Sequence, residues 1–227
     1  MRIFAMAVLC LSLAACTTTQ TKTAFKDPQK PPVGARVLLL QPDVQLALLT
    51  AGGVTEARAD WSEAGRVNLS REIEAALKTR SHAYGVLDPT NAMSGRVGQL
   101  LRLHGAVGQA IQAHSYGPYK LPTKKGFEWT LGEGAQEIAQ AHQSDYALFV
   151  TSRGTYASGG RVATAVGLSL LGVSIPLGQQ QVYASLVDLK TGRVIWFNVA
   201  VAGPNADMRE AAGSASLVKS LLKDLPL

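Results

Sequence analysis

Apolar positions recur in this chain with two rhythms and in two unbroken runs, and together they lay out most of its elements. The run "ARVLLLQP" at 35–42 is closed by Pro42 and predicts a buried strand. The stretch 43–59 reads as irregular, with paired glycines at Gly52 and Gly53. Asp60 and Glu63 have capping-box spacing, and Leu69, Ile73, Ala76 and Leu77 form one stripe, which predicts a helix to about Arg80. A short strand follows at 83–89. Asn91 is placed to cap a helix over 92–113, on which Val97, Leu100, Leu101, His104, Val107 and Ile111 recur at helical spacing. Gly95, Gly98, Gly105 and Gly108 weaken that helix and suggest close packing against a neighbour.

Residues 115–129 form a loop. Thr130 and Glu133 repeat the capping spacing before a helix ending near His142, and 145–156 predicts a strand. Residues 179–201 read as two strands joined at Lys190-Thr191-Gly192, and a last helix covers 207–223. The order is β-α-β-α-α-β-β-β-α. It implies an α/β domain with a mixed sheet flanked by helices, ending in a β-hairpin and a helix.

The beginning of the chain follows a different logic. Met1-Arg2, a short apolar run from Ile3 to Leu13 and small residues thereafter describe a secretory signal peptide, too short to span a bilayer. Leu13-Ala14-Ala15-Cys16 resembles the lipobox of bacterial lipoproteins. That resemblance implies cleavage before Cys16 and acylation of its thiol and new amine, palmitate being one such chain. Two or more acyl chains anchor stably where one holds only marginally. Thr17 in place of Asp implies the outer membrane, on its periplasmic face, if the source is Gram-negative. The expected organisation is a signal peptide at 1–15, the lipidated cysteine and a flexible Thr-, Lys- and Pro-rich tether at 16–34, and one α/β domain at 35–227 with an apolar insertion at 160–178.

Composition narrows this only slightly. The two cysteines are Cys10 and Cys16, which leaves the mature domain without thiol chemistry. The formal charge of +6 falls by one when Arg2 leaves with the signal peptide. A mild positive balance suits an acidic partner or a solvated surface, and nucleic acid is not expected for an exported chain.

Two phrases carry a second resemblance. The segment Ser144-Asp145-Tyr146-Ala147-Leu148-Phe149-Val150 and the hairpin Leu186-Val187-Asp188-Leu189-Lys190-Thr191-Gly192-Arg193-Val194-Ile195-Trp196 look like the curli-export type of periplasmic lipoprotein domain. That family implies an anticodon-binding-like α/β fold and attachment to envelope machinery, including a secretion pore. It offers no catalytic residue to carry over.

Reactive chemistry is sparse. His82, His104, His114 and His142 do not pair at metal-ligand spacing, and His104 sits on an apolar stripe where a satisfied core histidine is expected. Gly132-Glu133-Gly134 lacks the context of a dinucleotide fingerprint, and neither a phosphate loop nor a Gly-x-Ser-x-Gly elbow occurs. Asp43, Asp60, Asp88 and Asp145 lie at element ends, as caps and turns do. No catalytic residue, metal or cofactor is expected, and an enzyme would need a site assembled only in three dimensions.

Two stretches carry binding expectations. Residues 162–178 hold no charge and include Val166, Leu168, Leu170, Leu171, Val173 and Ile175. Burial on the domain's own sheet, or contact with another copy, is expected ahead of entry into the bilayer. Tyr116, Tyr119, Lys120, Lys124, Lys125, Phe127 and Trp129 form an aromatic and basic loop. It is either a grip for a glycan, lipid headgroup or acidic partner, or a crossover whose aromatics tuck inward while its lysines stay solvated. The expected function is a membrane-anchored, non-enzymatic envelope component that contacts an unidentified envelope protein, possible homo-oligomers included. The competing reading is an oligomeric secretion or pore component using 162–178 at the membrane.

Overall fold

A computed structural model describes residues 17–24, 30–80, 82–88, 94–203 and 206–227. Signal peptide, Cys16 and Asn91 lie outside the described residues.

Strand β2 (Val37–Leu40) is apolar at every position because both of its faces are covered; its four residues are at most 3% exposed. It pairs in parallel with β5 (Tyr84–Leu87) on one side and with the first part of β6 (Tyr146–Ala157) on the other. Pro42 has no N–H to give to a ladder, and the chain shifts there before it resumes. It resumes as β3 (Asp43–Leu49), parallel to the second part of β6, and turns back as β4 (Thr55–Ala57). These two strands occupy the stretch expected to be irregular. The alternation of exposed Asp43 and Gln45 with buried Val44 and Leu46 is their period-two signal.

The hairpin of β7 (Gln180–Asp188) and β8 (Val194–Val201) continues the sheet beyond β6, all antiparallel. Its turn closes on Gly192 at φ 70°, where a side chain would also collide with the Gly132 carbonyl. The outermost strand is β1 (Thr18–Thr23), antiparallel to β8 from Thr18 opposite Val201 to Thr23 opposite Trp196. Over residues 18–23 a paired strand stands where a flexible tether was expected. A polar, Thr-rich run has little to bury, but an edge strand need not bury much. It satisfies the backbone groups that β8 would leave unpaired, and threonine suits a half-exposed strand. The sheet has eight strands in the order β1-β8-β7-β6-β2-β5, with β3 and β4 extending it beyond the end of β2.

Helices cover both faces. On one face α1 (Ala59–Lys78) and α5 (Ala211–Leu221) bring Leu69, Ile73, Leu77, Leu217 and Leu221 against Leu39, Leu148 and Trp196. On the other, α2 (Gly95–Ile111) and α3 (Ala135–His142) bring Leu100, Ile111 and Ile138 against Leu38, Phe149 and Phe197. The close packing expected of the α2 glycines is real at Gly108, where a Cβ would lie 2.8 Å from the Tyr183 ring. Gly105 faces open space. Past Ile111 one π-helical turn runs to Tyr116.

The expected capping boxes do not form. Asp60 is inside α1 and chelates the Arg58 guanidinium, with contacts of 2.9 and 2.6 Å. Ser62 Oγ, which accepts from the Leu46 N–H and donates to the Arg58 carbonyl, ties that end of α1 to β3. Thr130 Oγ1 accepts from the Gly132 N–H and donates to the Gly192 carbonyl, so it fastens a loop and α3 begins five residues later. The final helix starts at Ala211 because Asp207 is occupied by Arg209.

Candidate functional site

The strand register places two distant segments at one end of the sheet. Thr18 lies opposite Val201, Val201 opposite Gln181, Gln181 opposite Arg153, and Arg153 opposite Gln45. Across this row, β1 begins, β8 ends, β7 begins and β6 runs on toward its end. Thr18 therefore lies at the sheet end from which the apolar insertion projects, and Cys16 precedes it by two residues in the sequence. Three strand spacings separate β1 from β6, about 15 Å.

The insertion is a short helix, α4 (Gly159–Ser169), followed by a returning loop. Ser158 caps the helix by accepting from the Arg161 N–H at 3.1 Å. The Arg161 guanidinium donates to the Pro176 carbonyl and holds the return against the helix. The expected burial on the domain's own sheet does not occur. Leu170 and Leu171 are 84% and 78% exposed, Val166 and Val173 are exposed, and Leu168 and Ile175 are half-buried. The cause is topological: α4 leaves from the end of β6, which runs on beside β3 past the level where β7 begins. Among the described residues no helix is long and apolar enough to cross a membrane.

At the other end of β1 is a pocket of about 210 Å3. The aromatic side chains of the 115–129 loop split between two roles. Tyr116 is half-buried, donates from its hydroxyl to the Phe197 carbonyl at 3.0 Å, and has its phenol pushed well above the usual range by burial. Trp129 donates from Nε1 to Ser115 Oγ at 3.0 Å, and Phe127 lies near the Phe197 ring. These three tuck toward the core, as a crossover would. Tyr119 stays 76% exposed.

The lysines converge. Lys120, Lys124 and Lys125 line the pocket, and Lys22 of β1 joins them. Lys124 Nζ sits 4.5 Å over the Trp129 ring, and Lys22 Nζ 5.6 Å from the Tyr116 centroid. Sequence reasoning missed Lys22 because its segment was read as tether.

A third concavity, about 650 Å3, opens where the parallel strands β2 and β5 end, between α1 and α2. Such strand ends are where open α/β sheets place ligands. Two of its carboxylates are engaged: Asp43 pairs with Arg153 at 2.5 Å, and Glu63 with Arg66; Asp88 and Arg102 complete the charged lining. His104 closes the cleft's floor. It is buried, stacked on Phe149 at 3.8 Å, and joined through Nε2 to Ser185 Oγ at 2.6 Å. Burial pushes its imidazole down to about 3, so it is neutral and structural.

No family model matches the chain, and no curated protein matches it. Among solved structures it is similar to the PelC dodecamer from Paraburkholderia phytofirmans. That likeness has 13% identity and a TM-score of 0.41, covering 93% of this chain and 98% of that one. A second crystal form, of a PelC variant, gives a TM-score of 0.42 at the same identity and coverage. Lipoprotein GNA1162 from Neisseria meningitidis is similar over 75% of this chain and 85% of its own, at 12% identity and a TM-score of 0.31.

Proposed function

We propose that the chain is a non-enzymatic, lipid-anchored component of the bacterial envelope that rests one end of its sheet on a membrane. One observation carries this reading: the register that brings Thr18, two residues after Cys16, and the exposed apolar insertion to the same sheet end. An acylated Cys16 separated from β1 by a single residue gives the domain no slack to float. Its sheet end is held at the bilayer surface, and Leu170 and Leu171 are what that end presents.

The contact is interfacial. At about 1.5 Å per residue, the 11 residues of α4 extend about 16 Å, half of the hydrocarbon thickness. The insertion therefore lies among headgroups and upper acyl chains instead of crossing them. The opposite end, with the Lys190-Thr191-Gly192 turn and the basic pocket, then points away from the membrane toward soluble partners. Tethering at a surface raises the local concentration of such partners and makes a weak contact productive.

A non-enzymatic role is supported by the ion-paired Asp43 and Glu63 of the large cleft and by the neutral, buried His104. The outer membrane is the proposed location, following Thr17 after the lipobox. Fluorescent labels at Val166 and at Lys190 test the orientation on vesicles. The Val166 label is expected to shift toward the blue and the Lys190 label to stay unchanged; equal responses at both ends would overturn it.

The second reading, an oligomer whose copies meet through the insertion, draws on an open apolar groove of about 270 Å3 lined by Val162, Val166, Ile175 and Leu177. Sizing of the detergent-extracted protein separates the two. A stable monomer removes the oligomer.

A further inference from the structure

We infer that the pocket between β1 and the 114–129 loop binds an anionic saccharide, a sugar ring bearing a carboxylate or a phosphate. Two segments about a hundred positions apart in sequence deliver Lys22, Lys120, Lys124 and Lys125 to one small concavity. Gathering like charges costs free energy that an anion recovers. Arginines make the ion pairs to Asp43, Asp60, Glu63, Glu72, Glu137 and Asp207, and none of these four lysines has a carboxylate partner among the described residues. Lys124 and Lys22 are steadied instead by aromatic faces, and Lys124 also donates to the Glu128 carbonyl. Their charge is positioned without being neutralised. Among the described residues that line the pocket none is acidic.

The rest of the lining chooses between anions. Leu121, Phe127 and Trp129 form an apolar side suited to the C–H face of a sugar, while the ammonium groups meet its charged substituent. A volume of about 210 Å3 admits one ring-sized group and not a length of acidic peptide. Lys22 is four residues along β1 from Thr18, about 13 Å from the anchored sheet end. With that end on the bilayer, the pocket stands clear of the headgroup layer. The choice of saccharide over lipid headgroup rests on the orientation proposed above; the preference for an anion does not.

Calorimetry on the purified chain in neutral detergent tests this, with an oligogalacturonate and glucose 1-phosphate as probes, maltotetraose as the neutral comparator, and phosphatidylglycerol vesicles as the lipid arm. Binding of at least one anionic probe is expected, weakening as salt rises, with none of maltotetraose. Lys124→Gln with Lys125→Gln is expected to weaken it about tenfold and Lys22→Gln about threefold, while Lys223→Gln on the opposite helical layer changes it less than twofold. Equal binding of maltotetraose, no anionic binding, or anionic binding indifferent to the changes at Lys22, Lys124 and Lys125 overturns the proposal. If Cys16→Ser protein binds the vesicles through these lysines and ignores both sugars, the ligand is a headgroup. The saccharide assignment then fails together with the orientation.

Discussion

Replacing Leu170 and Leu171 by glutamine isolates the apolar insertion from the rest of the domain. Burying a leucine side chain completely is worth about 1.5–3 kcal/mol. Leu170 and Leu171 hold 84% and 78% of their surface open. If a membrane interface covers about half of what is open, the pair contributes about 1.2–2.4 kcal/mol, or roughly 7- to 50-fold in partitioning. Two or more acyl chains would mask that difference, so the comparison belongs in a Cys16→Ser background. Sedimentation with phosphatidylethanolamine and phosphatidylglycerol vesicles, titrated in lipid, reads the partition coefficient. The Cys16→Ser chain is expected to retain weak binding, and the added Leu170→Gln and Leu171→Gln changes to reduce it about tenfold or more. Thermal stability is expected to stay within about 0.5 kcal/mol, because the exposed side chains have little packing to lose. Unchanged partitioning would refute the membrane contact. A melting temperature lowered by several degrees would show that the insertion packs on the domain after all.

Other perturbations probe the features that set this geometry. Thr19→Pro together with Gln20→Pro removes at least one ladder donor, since donors alternate along an antiparallel edge; a loss of about 1 kcal/mol, or 2–4 °C in Tm, is expected, with faster tryptic cleavage after Lys22. Gly108→Ala drives a Cβ into Tyr183 and is expected to destabilise by about 1–3 kcal/mol, whereas Gly105→Ala, facing open space, is expected to stabilise by up to about 1 kcal/mol; urea unfolding of the pair reads the opposite signs. His104 has its folded value depressed to about 3, below the ordinary 6.5, so the unfolded chain takes up the proton first as pH falls. Stability is full above pH 6.5 and is expected to drop by up to about 1.4 kcal/mol per unit below it, before the carboxylates titrate; His104→Gln should flatten the denaturation midpoint between pH 6.5 and 4.5.

Much of the scaffold is legible along the chain, because burial writes a period into the sequence. Val37 to Leu40 are apolar throughout since helices cover both faces, and Leu69, Ile73 and Leu77 recur at 3.6 because one side of α1 is buried. The β7–β8 turn was visible in Thr191-Gly192, where only glycine accepts the backbone without strain. What periodicity could not supply was anything decided by a remote partner. Thr18–Thr23 has no apolar pattern and is a strand only because β8 offers it an unpaired edge. Asp60 and Thr130 have the spacing of caps, yet Arg58 and Gly192 bind them first.

The site followed the same division. Tyr116, Lys120, Lys124, Lys125, Phe127 and Trp129 stood out as neighbours in sequence, while Lys22 reached them only through the pairing of β1. The charge-free composition of 162–178 was plain, but composition is the same for a buried segment and an exposed one. Its exposure came from β6 running past the start of β7, a matter of strand length and register across the sheet. By itself the sequence determined the elements whose side chains are half or wholly buried, and it set up the expectation of an export signal. The tertiary structure alone decided which end of the sheet holds Thr18, and that the apolar insertion shares it. Local patterns record each residue's own burial, whereas the meeting of distant segments depends on hydrogen-bond register, which no single segment encodes.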